Sequence, residues 1–270
     1  MFSVRNPKRP LPEKAIIGMI HVRPLPQTVW YADNMDFVIR IALEELAIYK
    51  EAGVDAVMLE NMFDVPYSKP PLHKDTVSAM CAVAYEVRKH TEMPIGIQML
   101  EAANCDAMNI AIAADLDFIR AEGFVYAHIG GAGIIEGSAR EILKLRANAD
   151  ASHIQVWADV KKKHCAHALT ADLTIRDVVR QSDFFCADRI IITGDFTGTP
   201  VDIKDIGFAR VATDRPIVLG SGVNPDNIYQ YHSSNAFIVG SYFKQDGDWK
   251  NPLDPERVKR LIQARDRFLI

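Results

Sequence analysis

Residues 216–243 read PIVLGSGVNPDNIYQYHSSNAFIVGSYF, two short apolar runs that each close on a glycine and serine turn. Apolar runs of this length, bounded by Gly, Ser and Pro, suit strands covered on both faces, as in a parallel sheet packed between other layers. At the strand ends Gly220, Gly222 and Gly240 let the backbone approach a ligand closely. Free amide N–H groups there, with the hydroxyls of Ser221 and Ser241, form a set of donors suited to an anion the size of phosphate. The plainer reading is that the glycines only make tight strand-to-helix turns. Two such turns on successive strands weigh toward the anion.

Six further apolar runs precede this pair: AIIGMIHV (15–22), AVMLEN (56–61), PIGIQML (94–100), FIRAE (118–122), IQVWADV (154–160) and RIIITG (189–194). Helical patterns separate them. Val38, Ile41, Ala42, Leu46 and Tyr49 form one apolar stripe, and Val77, Met80, Cys81, Ala84 and Val87 form another. Asn224 before Pro225, and Asp254 before Pro255, read as capped helix starts, the last helix burying Val258, Leu261, Ile262 and Phe268. Strand and helix alternating eight times in about 250 residues is the pattern of a single (β/α)8 TIM barrel. The expected domain is 1–270, with its core at about 15–268 and phosphate-binding turns after strands seven and eight; a doubly wound open sheet is the alternative. The glycine-rich stretch GFVYAHIGGAGIIEG (123–137) is long for a barrel loop and reads as a lid.

Composition narrows the function classes. Apolar residues make up 49% and charged residues 24%, and the net charge of -4 offers no basic field for nucleic acid. No apolar run is long enough to span a membrane, and the proline-rich start resembles neither a secretory signal nor a transit peptide. Cys81, Cys105, Cys165 and Cys186 are widely spaced, the usage of reduced thiols in a cytoplasmic protein.

In a barrel of this kind chemistry gathers at the carboxyl ends of the strands. Glu60 and Asp159 are the candidate acid and base there, with Arg120 and Lys161 steadying developing negative charge. His21, Asn61, Glu122, Thr193, Gly194 and Thr197 are candidate substrate contacts, joining Gly220, Ser221, Gly222, Gly240 and Ser241. For each ionisable residue the competing reading is a salt bridge that closes the barrel end. Strand six ends without a lysine, unlike the commonest Schiff-base arrangement. No cofactor is expected; Asp159, His164 and His167 are the alternative ligands for a divalent metal, in which case the chemistry would be metal-assisted hydrolysis. Lys162 and Lys163 read as a solvated face.

The chain resembles the BtpA family through GMIHVRPLP (18–26), GVDAVMLENMFDVPY (53–67), FIRAE, GIIEG (133–137), ADVKKKH (158–164), ITGDFTGTPVD (192–202), VLGSGVNPDNI (218–228) and IVGSYFKQDGDWKNPLDPERV (238–258). The resemblance implies a phosphate-binding barrel. One branch of that family is associated with photosystem I biogenesis in cyanobacteria, another with nucleosidase-like or sugar-metabolism proteins. The segment MLEAANCD (99–106) departs from the family's asparagine-rich turn. The leading expectation is an enzyme (an isomerase, lyase or glycosidase) acting on a small phosphorylated, sugar-like or nucleoside-like molecule. The alternative is a non-enzymatic assembly or stability factor. A homo-oligomer is compatible with either.

Overall fold

The computed structural model describes residues 7–32, 34–194, 196 and 198–269. Eight parallel strands close into a barrel: β1 (Ala15–His21), β2 (Ala56–Glu60), β3 (Ile95–Gln98), β4 (Phe118–Ala121), β7 (Gln155–Val160), β8 (Arg189–Ile192), β9 (Ile217–Leu219) and β10 (Ala236–Val239). Each pairs with its neighbours in chain order, and β1 closes the cylinder against β10, Ala15 opposite Ala236. All eight fall within the expected runs. Between β4 and β7 lies a separate antiparallel hairpin, β5 (His128–Gly130) and β6 (Gly133–Ile135).

Strand periodicity sorts the core. Alternate residues face opposite sides of a strand, so Ile17, Met19, Met58, Phe118, Trp157, Ile191, Val218 and Ile238 fill the cylinder, while Ile16, Ile20, Val57 and Leu59 pack outward against helices. Phe118 and Trp157 stack at 3.7 Å with their planes 5° apart across the interior. Gly96 makes room for this plate: a Cβ there would come within 2.0 Å of the Phe118 ring.

Seven α-helices occur among the described residues: α1 (Met35–Ala52), α2 (Lys74–Lys89), α3 (Asn104–Ala113), α4 (Ala139–Asn148), α5 (Ile175–Phe184), α6 (Ile203–Ala212) and α7 (Pro255–Leu269). The Asn34 side chain caps α1 by accepting from the Phe37 amide, and Gly53 ends it at φ 78. The buried face of α1 carries Val38, Ala42, Leu46 and Tyr49 as expected, and also Glu45, while Ile41 is only half-buried. On α2 the buried face is centred on Thr76, Ala79, Met80, Val83, Ala84 and Val87, with Val77 and Cys81 half-buried on its flank. Asp254 caps α7 through the amides of Glu256 and Arg257. Val258 and Leu261 of α7 are buried; the Phe268 side chain lies outside what is described.

Two expectations are corrected here. Asn224-Pro225 does not start an α-helix. Asn224 Oδ1 accepts from the amides of Asp226 and Asn227, and the chain then makes only the 3-10 turn Ile228–Tyr231 before β10 begins at Ala236. The stretch 123–137 is a fastened hairpin rather than a loose lid. Ile129 exchanges two backbone hydrogen bonds with Ala166, and Glu101 accepts from the amides of Gly131 and Ala132.

Candidate active site

Two residues beyond the apolar layer, the same inward register turns polar: Met19 leads to His21, Met58 to Glu60, Phe118 to Arg120 and Glu122, Trp157 to Asp159, Val218 to Gly220, and Ile238 to Gly240. Apart from Asp159, these positions form the floor of a cavity of about 630 Å³ at the carboxyl ends of the strands, lined by His21, Glu60, Gln98, Arg120, Glu122, Gly220, Ser221, Gly222, Gly240 and Ser241 among others. Apolar walls come from Met19, Met62, Leu100, Val223, Ile238 and Trp249.

His21 and Glu60 meet at 3.8 Å, Nε2 to Oε2. Burial, reinforced by the charge of Lys244, lowers His21 to about 3, so its ring is neutral. Its Nδ1 faces the Trp249 carbonyl at 3.2 Å, which places the ring proton on Nδ1 and leaves Nε2 as an acceptor. Burial raises Glu60 against the opposing pull of Arg120 and Lys163. A carboxyl with a raised pKa beside a bare imidazole nitrogen is the kind of pairing that can serve as acid and base. Gly240 leaves space for it, since a Cβ there would stand 3.2 Å from His21 Nε2.

Arg120 is bound to Asp159 in two-point fashion, Nε to Oδ2 at 2.8 Å and Nη2 to Oδ1 at 3.1 Å. Burial works against the guanidinium charge, and Asp159 more than restores it, raising the Arg120 pKa. Beside this pair Lys162 bridges Glu101 at 3.1 Å and Glu122 at 3.0 Å. Despite its own burial those carboxylates hold Lys162 protonated, raising its pKa. Glu122 further accepts from Gln98 Nε2 at 2.9 Å and the Ala102 amide at 3.0 Å. The Oε1 atom of Gln98 is buried without a hydrogen-bond partner among the described residues.

The turns after β9 and β10 line the same cavity. Gly222 adopts φ +68 with its Cβ position 2.4 Å from backbone atoms of Thr199 and Pro200, so only glycine fits. The amides of Gly222, Val223, Ser241 and Tyr242 donate to no acceptor among the described residues. Arg257, from the first turn of α7, also lines the cavity, its guanidinium stacked 4.5 Å from the Tyr242 ring.

Several residues singled out from sequence are placed elsewhere or are already engaged. Asp159 is not a free base; its carboxylate is spent on Arg120 and does not line the cavity. Lys161 does not reach the site: φ 44 turns it away and its Nζ donates to the carbonyls of Thr170 and Leu173. Asn61 clamps the backbone of Leu100, accepting from its amide at 2.7 Å and donating to its carbonyl at 3.2 Å. Ser221 is occupied on both sides, accepting from the Gly194 amide at 2.7 Å and donating to the Thr199 carbonyl at 3.0 Å. Gly194 and Thr193 thus support the turn from behind; Thr193 Oγ1 is buried without a partner among the described residues. Thr197 lies outside the described residues.

The metal alternative is corrected as well. Among the described residues no three of His, Cys, Asp or Glu form a group able to hold an ion. His164 stands exposed at the cavity rim beside Phe196, whereas His167 faces the Lys162 carbonyl at 2.9 Å and the ring of His128. Lys162, Lys163, Glu101 and Arg257 are lining residues that the sequence reading missed. The run ADVKKKH carried the two lysines in plain view, but their direction depends on where the strand stops.

The class defined here is a (β/α)8 barrel with a polar, partly apolar-walled cavity at the carboxyl ends of its strands. The profile of the BtpA family matches residues 12–267, and the chain belongs to that family. An uncharacterized mitochondrial protein of Caenorhabditis elegans is 38% identical over 263 residues, 96% of this chain and 94% of its own length. The photosystem I biogenesis protein BtpA of Synechocystis sp. is 33% identical over 267 residues, 97% and 89% of the two chains. Among solved structures, phosphoribosyl anthranilate isomerase of Thermus thermophilus matches with a TM-score of 0.58 at 10% identity, covering 94% of this chain and 98% of its own. Tryptophan synthase of Mycobacterium tuberculosis gives a TM-score of 0.58 at 11% identity, covering 93% and 92%. At these identities the likeness is one of fold. No helix among the described residues is long and apolar enough to cross a membrane.

Proposed function

We propose that this chain is an enzyme acting on a small phosphorylated, sugar-like molecule. The phosphate would sit against the amides of Gly222, Val223, Ser241 and Tyr242 with Arg257 alongside, and the reacting carbons would lie over His21 and Glu60. The observation that carries this reading is the sharing of one cavity by unengaged backbone donors and a neutral imidazole facing a raised carboxyl. Glu60 gives a proton and His21 Nε2 takes one, as isomerisation, elimination or glycosidic cleavage each require. Arg120, held in place by Asp159, stabilises negative charge developing on substrate oxygen. The chain supplies acid, base and cation itself, so the proposed chemistry needs no cofactor. The fold neighbour named for a phosphoribosyl substrate supports the substrate class.

The test is a thermal-shift screen with inorganic phosphate, ribose 5-phosphate and unphosphorylated ribose. A ligand at about a hundred times its dissociation constant adds about 2.7 kcal/mol to stability. The phosphorylated probes are expected to raise the melting temperature and ribose to leave it unchanged. The name of the cyanobacterial relative favours a second reading, a non-enzymatic assembly factor. Absence of a shift with every anion would favour that reading over ours.

A further inference from the structure

Three consecutive lysines follow β7, and the structure gives each a different setting. Lys161 donates to the backbone carbonyls of Thr170 and Leu173. Lys162 is locked between Glu101 and Glu122. Lys163 lines the cavity with its stem half-buried, and among the described residues it makes no hydrogen bond and no ion pair. Residues with positive φ, Lys161 at 44 and His164 at 59, bracket the pair and turn both Lys162 and Lys163 inward. The other groups that act on Lys163 are Arg120, whose charge opposes a second cation, and the carboxyls of Glu60, Asp159 and Glu122. The latter two are already bound, to Arg120 and to Lys162.

We infer that Lys163 is a covalent amine that captures the carbonyl carbon of an open-chain aldose or ketose phosphate as an imine, with Glu60 as the acid that releases water. This rests on the proposed function and adds the substrate's reactive group. Burial, with the charge of Arg120, lowers Lys163 to about 8, so a usable fraction of the amine is uncharged near neutrality. Its Nζ lone pair forms a C–N bond as the carbonyl π electrons move to oxygen. One amine proton passes to that oxygen, giving a neutral carbinolamine. Glu60 then gives its carboxyl proton to the hydroxyl, which departs as water while the nitrogen lone pair closes the C=N bond. The cationic imine and the Glu60 carboxylate balance in charge. Lys162 cannot take this role, because its two carboxylates hold it protonated.

The experiment is reductive trapping of the full-length protein with sodium cyanoborohydride and, separately, glyceraldehyde 3-phosphate, dihydroxyacetone phosphate and ribose 5-phosphate, followed by peptide mass mapping. The expected result is a reduced sugar-phosphate adduct on the peptide carrying Lys163 before any surface lysine is labelled, suppressed by excess inorganic phosphate and lost in Lys163→Arg. That variant keeps the charge, and retention of its phosphate-induced thermal shift shows a folded, occupied site. No adduct at Lys163 with any of the three probes, while phosphate still stabilises the protein, overturns the covalent role and leaves the proposed function standing. Loss of both removes the two together.

Discussion

The guanidinium of Arg120 grips both carboxylate oxygens of Asp159, at 2.8 and 3.1 Å, and the carboxylate is wholly shut off from solvent. The pair joins β4 to β7 beneath the cavity, so its first duty is to fix where the Arg120 charge sits. Asp159→Asn strands that charge without its counter-ion, and breaking one side of a buried ion pair costs about 3–5 kcal/mol. Urea unfolding should show a loss of this size. A loss near zero would mean that solvent reaches the pair.

Acid should weaken the fold through His21. Its pKa falls from 6.5 to about 3 on folding, so below pH 6.5 the unfolded chain takes up a proton that the folded chain refuses. Stability is therefore full above pH 6.5 and declines as pH drops toward 3, by up to about 1.4 kcal/mol per pH unit. His128, lowered to about 4 by its burial, contributes in the same direction. Glu60 has the opposite sign, since a raised carboxyl loses its stabilising contribution as pH rises. His21→Asn keeps a donor for the Trp249 carbonyl and removes the titration. Unfolding free energies at pH 7 and pH 5 should differ less in the variant than in the parent, and equal differences would count against a buried neutral imidazole.

Gly222→Ala places a methyl group 2.4 Å from the backbone of Thr199 and Pro200 at a left-handed φ. Strain of this kind costs roughly 1–3 kcal/mol. The turn must move to relieve it, so phosphate should no longer raise the melting temperature. A Gly222→Ala protein that still responds fully to phosphate would place the anion elsewhere.

Lys244 and Glu45 form a second buried pair at 2.5 Å, tying the turn after β10 to α1. Burial pushes the Glu45 carboxyl up and the Lys244 amine down, so desolvation outweighs attraction for both partners. Lys244→Met alone should cost about 3–5 kcal/mol, whereas Glu45→Leu combined with Lys244→Met should recover most of the loss. Additive losses in a double-mutant cycle would contradict this.

The barrel was legible because period-two burial and strand-to-helix alternation are local properties of the chain. His21, Glu60, Arg120, Gly220 and Gly240 followed from them, each two residues above an apolar neighbour in the same register. Asn61 and Lys161 were misplaced for the opposite reason: beyond the last paired residue the alternation stops, and a single φ of 44 at Lys161 redirects the next two side chains. Arg257 was out of reach because its approach to the turn after β10 depends on how α7 returns across the barrel end. The Asp159 carboxyl was placed in the right layer, but which partner would claim it depends on the stagger between β4 and β7, where Arg120 stands beside Trp157.

The stacked rings of Phe118 and Trp157 plug the cylinder below the polar floor. The molecule is consequently a cup and not a tunnel. Whatever occupies it must back out through the mouth of the cup, so successive occupants exclude one another.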